Sequence, residues 1–256
     1  MTRFTFYPPL RLDSSLEETC QREPPASRTL FANAFDGAAM GVFPWVARAF
    51  GYTYRVGRTL DLQHDGRSVI QAVWGAKGLL PPTDLASFGA RYDAGMTWIV
   101  AYKRGKAVGS MGLLDMRVAS VALDYGRRLR PPGLDLATTR EICRLAILPK
   151  HRGGAQLVMV GLLREMLAWS VRNGIVRLFS GSTEQLFNVY RRFNPTARII
   201  DPPRDLSEDP TRERYYEKLR GYGGDGVLYT FDVDGASPWS VFSRFLTRNL
   251  KRQERR

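Results

Sequence analysis

Glu141 and Arg144 bracket the run Glu141-Ile-Cys-Arg144, and Leu145-Ala-Ile-Leu-Pro-Lys-His-Arg-Gly-Gly-Ala155 follows without a break. A carboxylate can take or hold a proton, and a guanidinium can hold an anion. Ile142 to Leu148 has the apolar run of a buried strand, stops at Pro149 and empties into a basic, glycine-containing turn. A long amphipathic segment follows at once. A strand feeding such a turn at a helix N-terminus builds an anion site, because free backbone N–H groups and the helix dipole point at one spot. Arg152, with the N–H groups of Gly153, Gly154 and Ala155, is therefore expected to hold a phosphate-bearing group, the plainer alternative for Arg152 being a solvated turn charge. G-x-x-x-x-G-K-[ST] is absent, and G-x-G-x-x-G does not occur at this turn.

The elements that must position these groups read in order along the chain. Thr97–Tyr102 and Ala107–Leu114 have strand patterns, joined through Lys103-Arg-Gly-Lys106 as a tight hairpin with Arg104-Gly105 at its tip. Gly153 to Asn173 carries Leu157, Val160, Leu163, Leu167 and Val171 at helical spacing, with Met159 and Met166 widening the stripe, and Gly174 ends it. Ile175–Phe179 reads as a strand. Ser182 or Thr183 then caps a helix that carries Phe187, Tyr190 and Phe193 and ends near Asn194, where an asparagine suits a left-handed cap. Short strands follow at Ala197–Ile200 and Val227–Phe231.

This order resembles the GNAT superfamily of N-acetyltransferases. The turn is similar to its pyrophosphate loop, with Gly153 and Ala155 in register and Lys150 where arginine or glutamine is usual. Tyr190-Arg-Arg-Phe-Asn194 is similar to its tyrosine-bearing helix, with Asn194 in place of glycine. The resemblance spans roughly Tyr52 to Asp201. It implies an α/β (α+β) fold, a mixed, mostly antiparallel central sheet flanked by helices, with extensions at 1–51 and 237–256 around a domain at 52–236. Glu141-Ile-Cys-Arg144 further resembles the Glu-x-x-Arg of acyl-homoserine-lactone synthases and long-chain N-acyl amino acid synthases. Arg58 to Pro82 and Tyr92-Asp93 lie where those enzymes carry an arginine-rich acceptor segment and acidic residues. The acidic and tryptophan pattern of the lactone synthases is not cleanly present, which favours an amine other than S-adenosylmethionine.

The resemblance implies acyl transfer from a thioester, coenzyme A or the phosphopantetheine of an acyl carrier protein, to the amine of a small acceptor such as an amino acid. Glu141 is then the expected base for the amine, its rival role being an ion pair with a nearby arginine. The Leu145 to Ile147 backbone would polarise the carbonyl, and Tyr190 would return a proton to the thiolate, the alternative for Tyr190 being a core contact. Strict alternation puts Glu141 and Cys143 on one face of the strand and Ile142 and Arg144 on the other; a bulge of the kind common in this family would re-aim Arg144 toward the acceptor. Two other functions stay open: a short-chain acetyltransferase, and a catalytically silent domain of this fold that binds nucleic acid or an anionic membrane.

Composition narrows the partners. Lys+Arg 38 against Asp+Glu 25 gives a net charge of +13 in 256 residues, which attracts polyanions. The arginines are spread along the chain, with no zinc-finger spacing or RNP-like aromatic run, so an acidic carrier protein or coenzyme A accounts for the charge better than nucleic acid. His64, His151, Cys20 and Cys143 offer no metal-ligand spacing, and no metal is expected. No run approaches the roughly 18 apolar residues of a membrane span, and the N-terminus lacks a signal-peptide pattern, so the cytoplasm is the expected compartment. Phe31 to Phe50 reads either as a lid over an acyl chain or as a packing arm, and 202–226 as a loop. After Pro238, Trp239, Phe242, Phe245, Leu246 and Leu250 recur at helical spacing among arginines, a pattern that suits peripheral contact with the anionic inner membrane or packing on the domain.

Overall fold

The computed structural model describes residues 42–78, 90–118, 134–152, 157–194, 196–201 and 226–234. The expectations for the rest of the N-terminal extension, for Gly153, Gly154 and Ala155, for 202–225 and for the C-terminal tail lie outside them. Helix α1 occupies 42–49 and leads into strand β1, Tyr52–Gly57. Helix α2, Leu60–Ile70, runs on into a π-helical turn, Gln71–Gly75. A 3-10 segment, Ala90–Gly95, precedes β2, Met96–Lys103, and β3, Lys106–Asp115. Then come β4, Thr139–Ile147; a 3-10 turn, Pro149–His151; α3, Leu157–Arg172; β5, Arg177–Thr183; α4, Glu184–Phe193; β6, Arg198–Asp201; and β7, Gly226–Asp232.

The described strands form one sheet in the order β1-β2-β3-β4-β5-β7-β6. Every neighbouring pair is antiparallel except β4 and β5, whose parallel pairing requires the crossover through α3. The hairpin tip is as the sequence predicts: Arg104 and Gly105 both have positive φ, 49° and 78°, the conformation of a two-residue turn matched to strand twist.

Two apolar layers cover the sheet. One face carries Ile99, Ala101, Met111, Leu113, Ile142 and Ile147 against α3 and α4. The other carries Met96, Trp98, Val100, Tyr102, Leu114 and Ala146 against α2, through Leu62, Val69 and Ile70. The α3 stripe is buried at Leu157, Val160, Leu163 and Leu167, with Val158 and Leu162 buried as well. Val171, in the last turn of α3, is the exception: it is 67% exposed.

Three boundaries shift. Strand β4 begins three residues upstream of the predicted Ile142, because pairing with β3 extends to Asp115↔Arg140. Strand β5 begins at Arg177 rather than Ile175 and runs on to Thr183, held by β7 along its length. Thr183 then caps α4, accepting a hydrogen bond from the Leu186 N–H at 3.3 Å. Asn194 does not take the expected left-handed cap. Its φ is −136°, and its buried amide donates to the Asp232 carbonyl at 2.7 Å while its oxygen accepts from the Thr196 N–H at 2.9 Å. Those bonds to neighbouring segments outweigh the local preference.

Candidate active site

The parallel ladder between β4 and β5 ends where the chemistry begins. It holds Thr139↔Arg177, Arg140↔Leu178 and Glu141↔Phe179, and no further pair. Beyond it β4 stays with β3 and β5 stays with β7, so the two strands diverge and open a wedge in the middle of the sheet. At its apex the buried Ser180 hydroxyl donates to the Ile142 carbonyl at 3.0 Å, replacing the next ladder bond. Removing it, as Ser180→Ala, leaves that carbonyl without this donor and is expected to cost about 1–2 kcal/mol, read as a lowered urea midpoint with an unchanged slope.

Downstream, the Leu148 N–H donates to the Val108 carbonyl of β3 at 3.0 Å. Alternation then directs Ala146 toward β3 and the backbone groups of Leu145 and Ile147 toward the wedge. The Arg152 Nε donates to the Ile147 carbonyl at 2.8 Å, which ties the exposed basic turn to the wedge mouth. Beside it the Tyr52 hydroxyl lies 3.2 Å from His151 Nδ1. Burial, then Lys150 and Lys103, hold the His151 imidazole below its usual pKa and so favour its neutral form near pH 7.

A bulge in β4 settles where Arg144 goes. Its φ is +54°, and the β3–β4 register slips between Ser110 and Gly112, so Arg144 and Leu145 together face Met111. The strict alternation that placed Arg144 with Ile142 is therefore overturned. Cys143 and Arg144 both point to the α2 face: Cys143 packs in that layer, and the Arg144 guanidinium lies over the rings of Trp98 and Tyr92, 5.0 and 5.9 Å from their centroids. Glu141 is 1% exposed and close enough to Cys143 that, after burial itself, its charge is the main influence raising the Cys143 thiol. Glu141, Cys143 and Arg144 thus share one face.

Asp93 anchors that face. It accepts from Arg144 Nη1 at 3.1 Å, from Gln63 Nε2 at 3.1 Å and from Arg67 Nη2. Arg67 and Gln63 come from α2 and Asp93 from the 3-10 segment, so one carboxylate joins three elements around the bulge. Sequence reading placed Arg67 and Asp93 in the acceptor region but gave no sign that they meet. Tyr102, also on this face, donates to Asp65 of α2 at 2.8 Å.

Tyr190 of α4 packs in the apolar layer on the α3 side of the sheet. It is 3% exposed, with Tyr229 and Phe231 at centroid distances of 5.8 and 5.9 Å. Burial, then Tyr229 and Cys143, push its phenol well above the usual tyrosine value, so it keeps its proton. Among the described residues no cluster of histidine, cysteine or acidic side chains could hold a metal, and no helix is long and apolar enough to cross a membrane.

No protein-family model and no curated protein matches the chain. Solved structures do. TofI, in a ternary complex with an inhibitor and MTA, superposes with a TM-score of 0.54 at 16% identity over 74% of this chain and 96% of its own. BjaI, a CoA-dependent acyl-homoserine lactone synthase solved with SAM and isopentyl-CoA, gives 0.54 at 12% identity over 76% and 90%. The AHL synthase LasI gives 0.50 at 13% identity over 75% and 95%. The split sheet with one parallel pair and the bulged central strand are those of the GNAT fold, and the chain has that fold. Within it, the chain is similar to acyl-homoserine lactone synthases.

Proposed function

We propose that this chain is an N-acyltransferase that moves an acyl group from a thioester, acyl-coenzyme A or acyl carrier protein, to the amine of a small acceptor such as an amino acid. The observation that carries the reading is the wedge, with a buried carboxylate at its apex and backbone groups of a bulged strand along its edge. A thioester arm is narrow and polar on both sides, and an unpaired strand edge can hydrogen-bond it. The exposed Arg152 and Lys150 at the mouth suit its phosphate. Gly153, Gly154 and Ala155 are the proposed backbone partners of the same phosphate.

Each residue then has a step. Glu141 takes a proton from the acceptor ammonium, directly or through a water, and frees the nitrogen lone pair. The nitrogen attacks the thioester carbonyl, and the N–H groups of Leu145 and Ile147 stabilise the oxyanion. The nitrogen gives up its second proton to water, the intermediate collapses, the C–N bond remains, and the C–S bond breaks. Tyr190, which burial keeps protonated, gives the departing thiolate its proton and is reprotonated from water, the same burial making it a weaker donor than an exposed phenol. Arg144 positions the acceptor from the same face as Glu141. The likeness to BjaI, which was solved with isopentyl-CoA, supports a thioester donor. The chain of thioester carbons is proposed to be long, as in the N-acyl amino acid synthases that the Glu141–Arg144 run resembles.

The test is free-thiol release with acetyl and dodecanoyl donors, each on coenzyme A and on a carrier protein, against the twenty standard amino acids. Release that depends on both donor and amine, and is faster with dodecanoyl, is the expected result. Release with acetyl alone makes the protein a short-chain acetyltransferase. Absence of release with every donor, together with absence of coenzyme A binding, overturns acyl transfer. Steep salt-dependent binding to DNA or anionic vesicles would then mark a silent binding domain.

A further inference from the structure

Helix α1 turns only one of its faces to the domain. Phe43 and Ala47 are buried in the α3 layer, Phe43 with its ring centroid 6.1 Å from that of Tyr54. Val42 and Trp45, one turn apart on the other face, are 59% and 74% exposed, and Phe50, just past the helix, is 58% exposed. A single exposed apolar residue is ordinary. Here two large aromatic side chains and a valine stand in water along one short stretch, and no step of the acyl-transfer scheme uses them.

Cations surround this stretch. The Lys103 ammonium donates to the Phe50 carbonyl and lies 4.1 Å from the centroid of the Tyr52 ring, and the Arg104 N–H donates to the Gly51 carbonyl at 3.0 Å. Tyr52 in turn meets His151 of the basic turn. After burial, the charges of Lys150 and Lys103 are what disfavour protonation of His151, so these cations crowd one corner. Arg48, Arg104, Lys106, Lys150 and Arg152 are exposed, and 42–57, 99–114 and 142–152 contain no acidic residue. The three segments meet at the end of the sheet where the wedge opens, since β1 starts there and β4 ends there. A positive field beside exposed aromatic rings suits a surface that offers negative charge and apolar depth together. An anionic bilayer offers both, and tryptophan favours its interface.

We infer that α1 and the neighbouring hairpin tip dock on an anionic phospholipid bilayer, with Trp45 and Phe50 entering the headgroup region and Arg48, Arg104 and Lys106 pairing with lipid phosphates. The contact is peripheral, since no described helix is long and apolar enough to cross a membrane. It stands independently of the acyl-transfer reading and of the C-terminal tail. Where acyl transfer also holds, the wedge mouth lies beside the layer that dissolves a long-chain product.

The experiment is co-sedimentation of the full chain with vesicles of phosphatidylcholine alone and of phosphatidylcholine mixed with phosphatidylglycerol. Binding is expected to the anionic vesicles only, and to weaken as added salt screens the charges. Trp45→Ala with Phe50→Ala should lower the partition coefficient about tenfold, and Arg48→Glu with Lys106→Glu by about the same factor. All four side chains are exposed, so the melting temperatures should match wild type. Brominated phosphatidylglycerol should quench wild-type tryptophan fluorescence, and Trp45→Phe should remove most of that quenching while keeping most of the binding, a pattern that misfolding does not produce. No binding to either vesicle, equal binding to both, wild-type binding by either double variant, or quenching unchanged in Trp45→Phe overturns the proposal. If vesicles go unbound while an acidic acyl carrier protein is captured through Arg48 and Lys106, the corner is a protein-docking face and the bilayer is excluded. Thiol release by wild type without lipid tests acyl transfer separately, so either reading can fail while the other stands.

Discussion

Glu141→Gln is expected to lower kcat by about 10²–10⁴-fold, the range lost when a positioned general base is removed. The side chain is buried at the wedge apex and shares a face with Arg144, and glutamine keeps its shape while losing the lone pair that accepts a proton. Coenzyme A binding should be unchanged, because the proposed phosphate contacts lie at the far end of β4. The pH–rate profile discriminates further. If Glu141 is the base, wild-type kcat falls on the acidic side as the carboxylate protonates, and that limb disappears in the variant. If Glu141 serves only as an ion-pair partner, the variant instead loses thermal stability, and whatever activity remains keeps the wild-type profile.

Local pattern in the sequence was enough to place the strand, the basic turn, the long helix and the tyrosine helix, because each depends on residues within one turn or one strand of each other. The hairpin tip at Arg104-Gly105 was legible for the same reason. What escaped sequence reading is long-range. Arg144 changes face because β4 carries one more residue than β3 opposite Met111, and that mismatch exists only once the two strands are in register. Asp93 joins Gln63, Arg67 and Arg144, partners 30, 26 and 51 positions away, with no spacing rule linking them. Ser180 lies one residue past the expected strand Ile175–Phe179, and its role follows from the divergence of two strands that the sequence does not show. Val171 and Asn194 went the other way. Both fit a local rule; Asn194 was overruled by its bonds to Asp232 and Thr196, and Val171 stands exposed at the end of α3.

Asp93→Ala should lower the stability of the fold by about 3 kcal/mol, because it takes the shared carboxylate from buried charges. The Arg144 side chain is 3% exposed and that of Arg67 is 21%, so water can reach the second more readily than the first. The cost therefore falls mainly on Arg144, at the bulge, and is expected to disturb the α2 face before the α3 face. Asp93→Asn should cost less, since it keeps an oxygen acceptor for one guanidinium and the same packing volume. Urea denaturation of the two variants provides the ordering, with alanine the weaker. Removing both charges tests the cause. If the loss comes from a stranded guanidinium, Asp93→Ala combined with Arg144→Met should be more stable than Asp93→Ala alone, a coupling expected for partners in one ion pair. If the double variant is weaker still, Arg144 stabilises the bulge by packing on Trp98 and Tyr92 instead of through Asp93. The carboxylate would then act on α2 through Arg67 and Gln63, and the wedge edge would owe its shape to the aromatic rings beneath it.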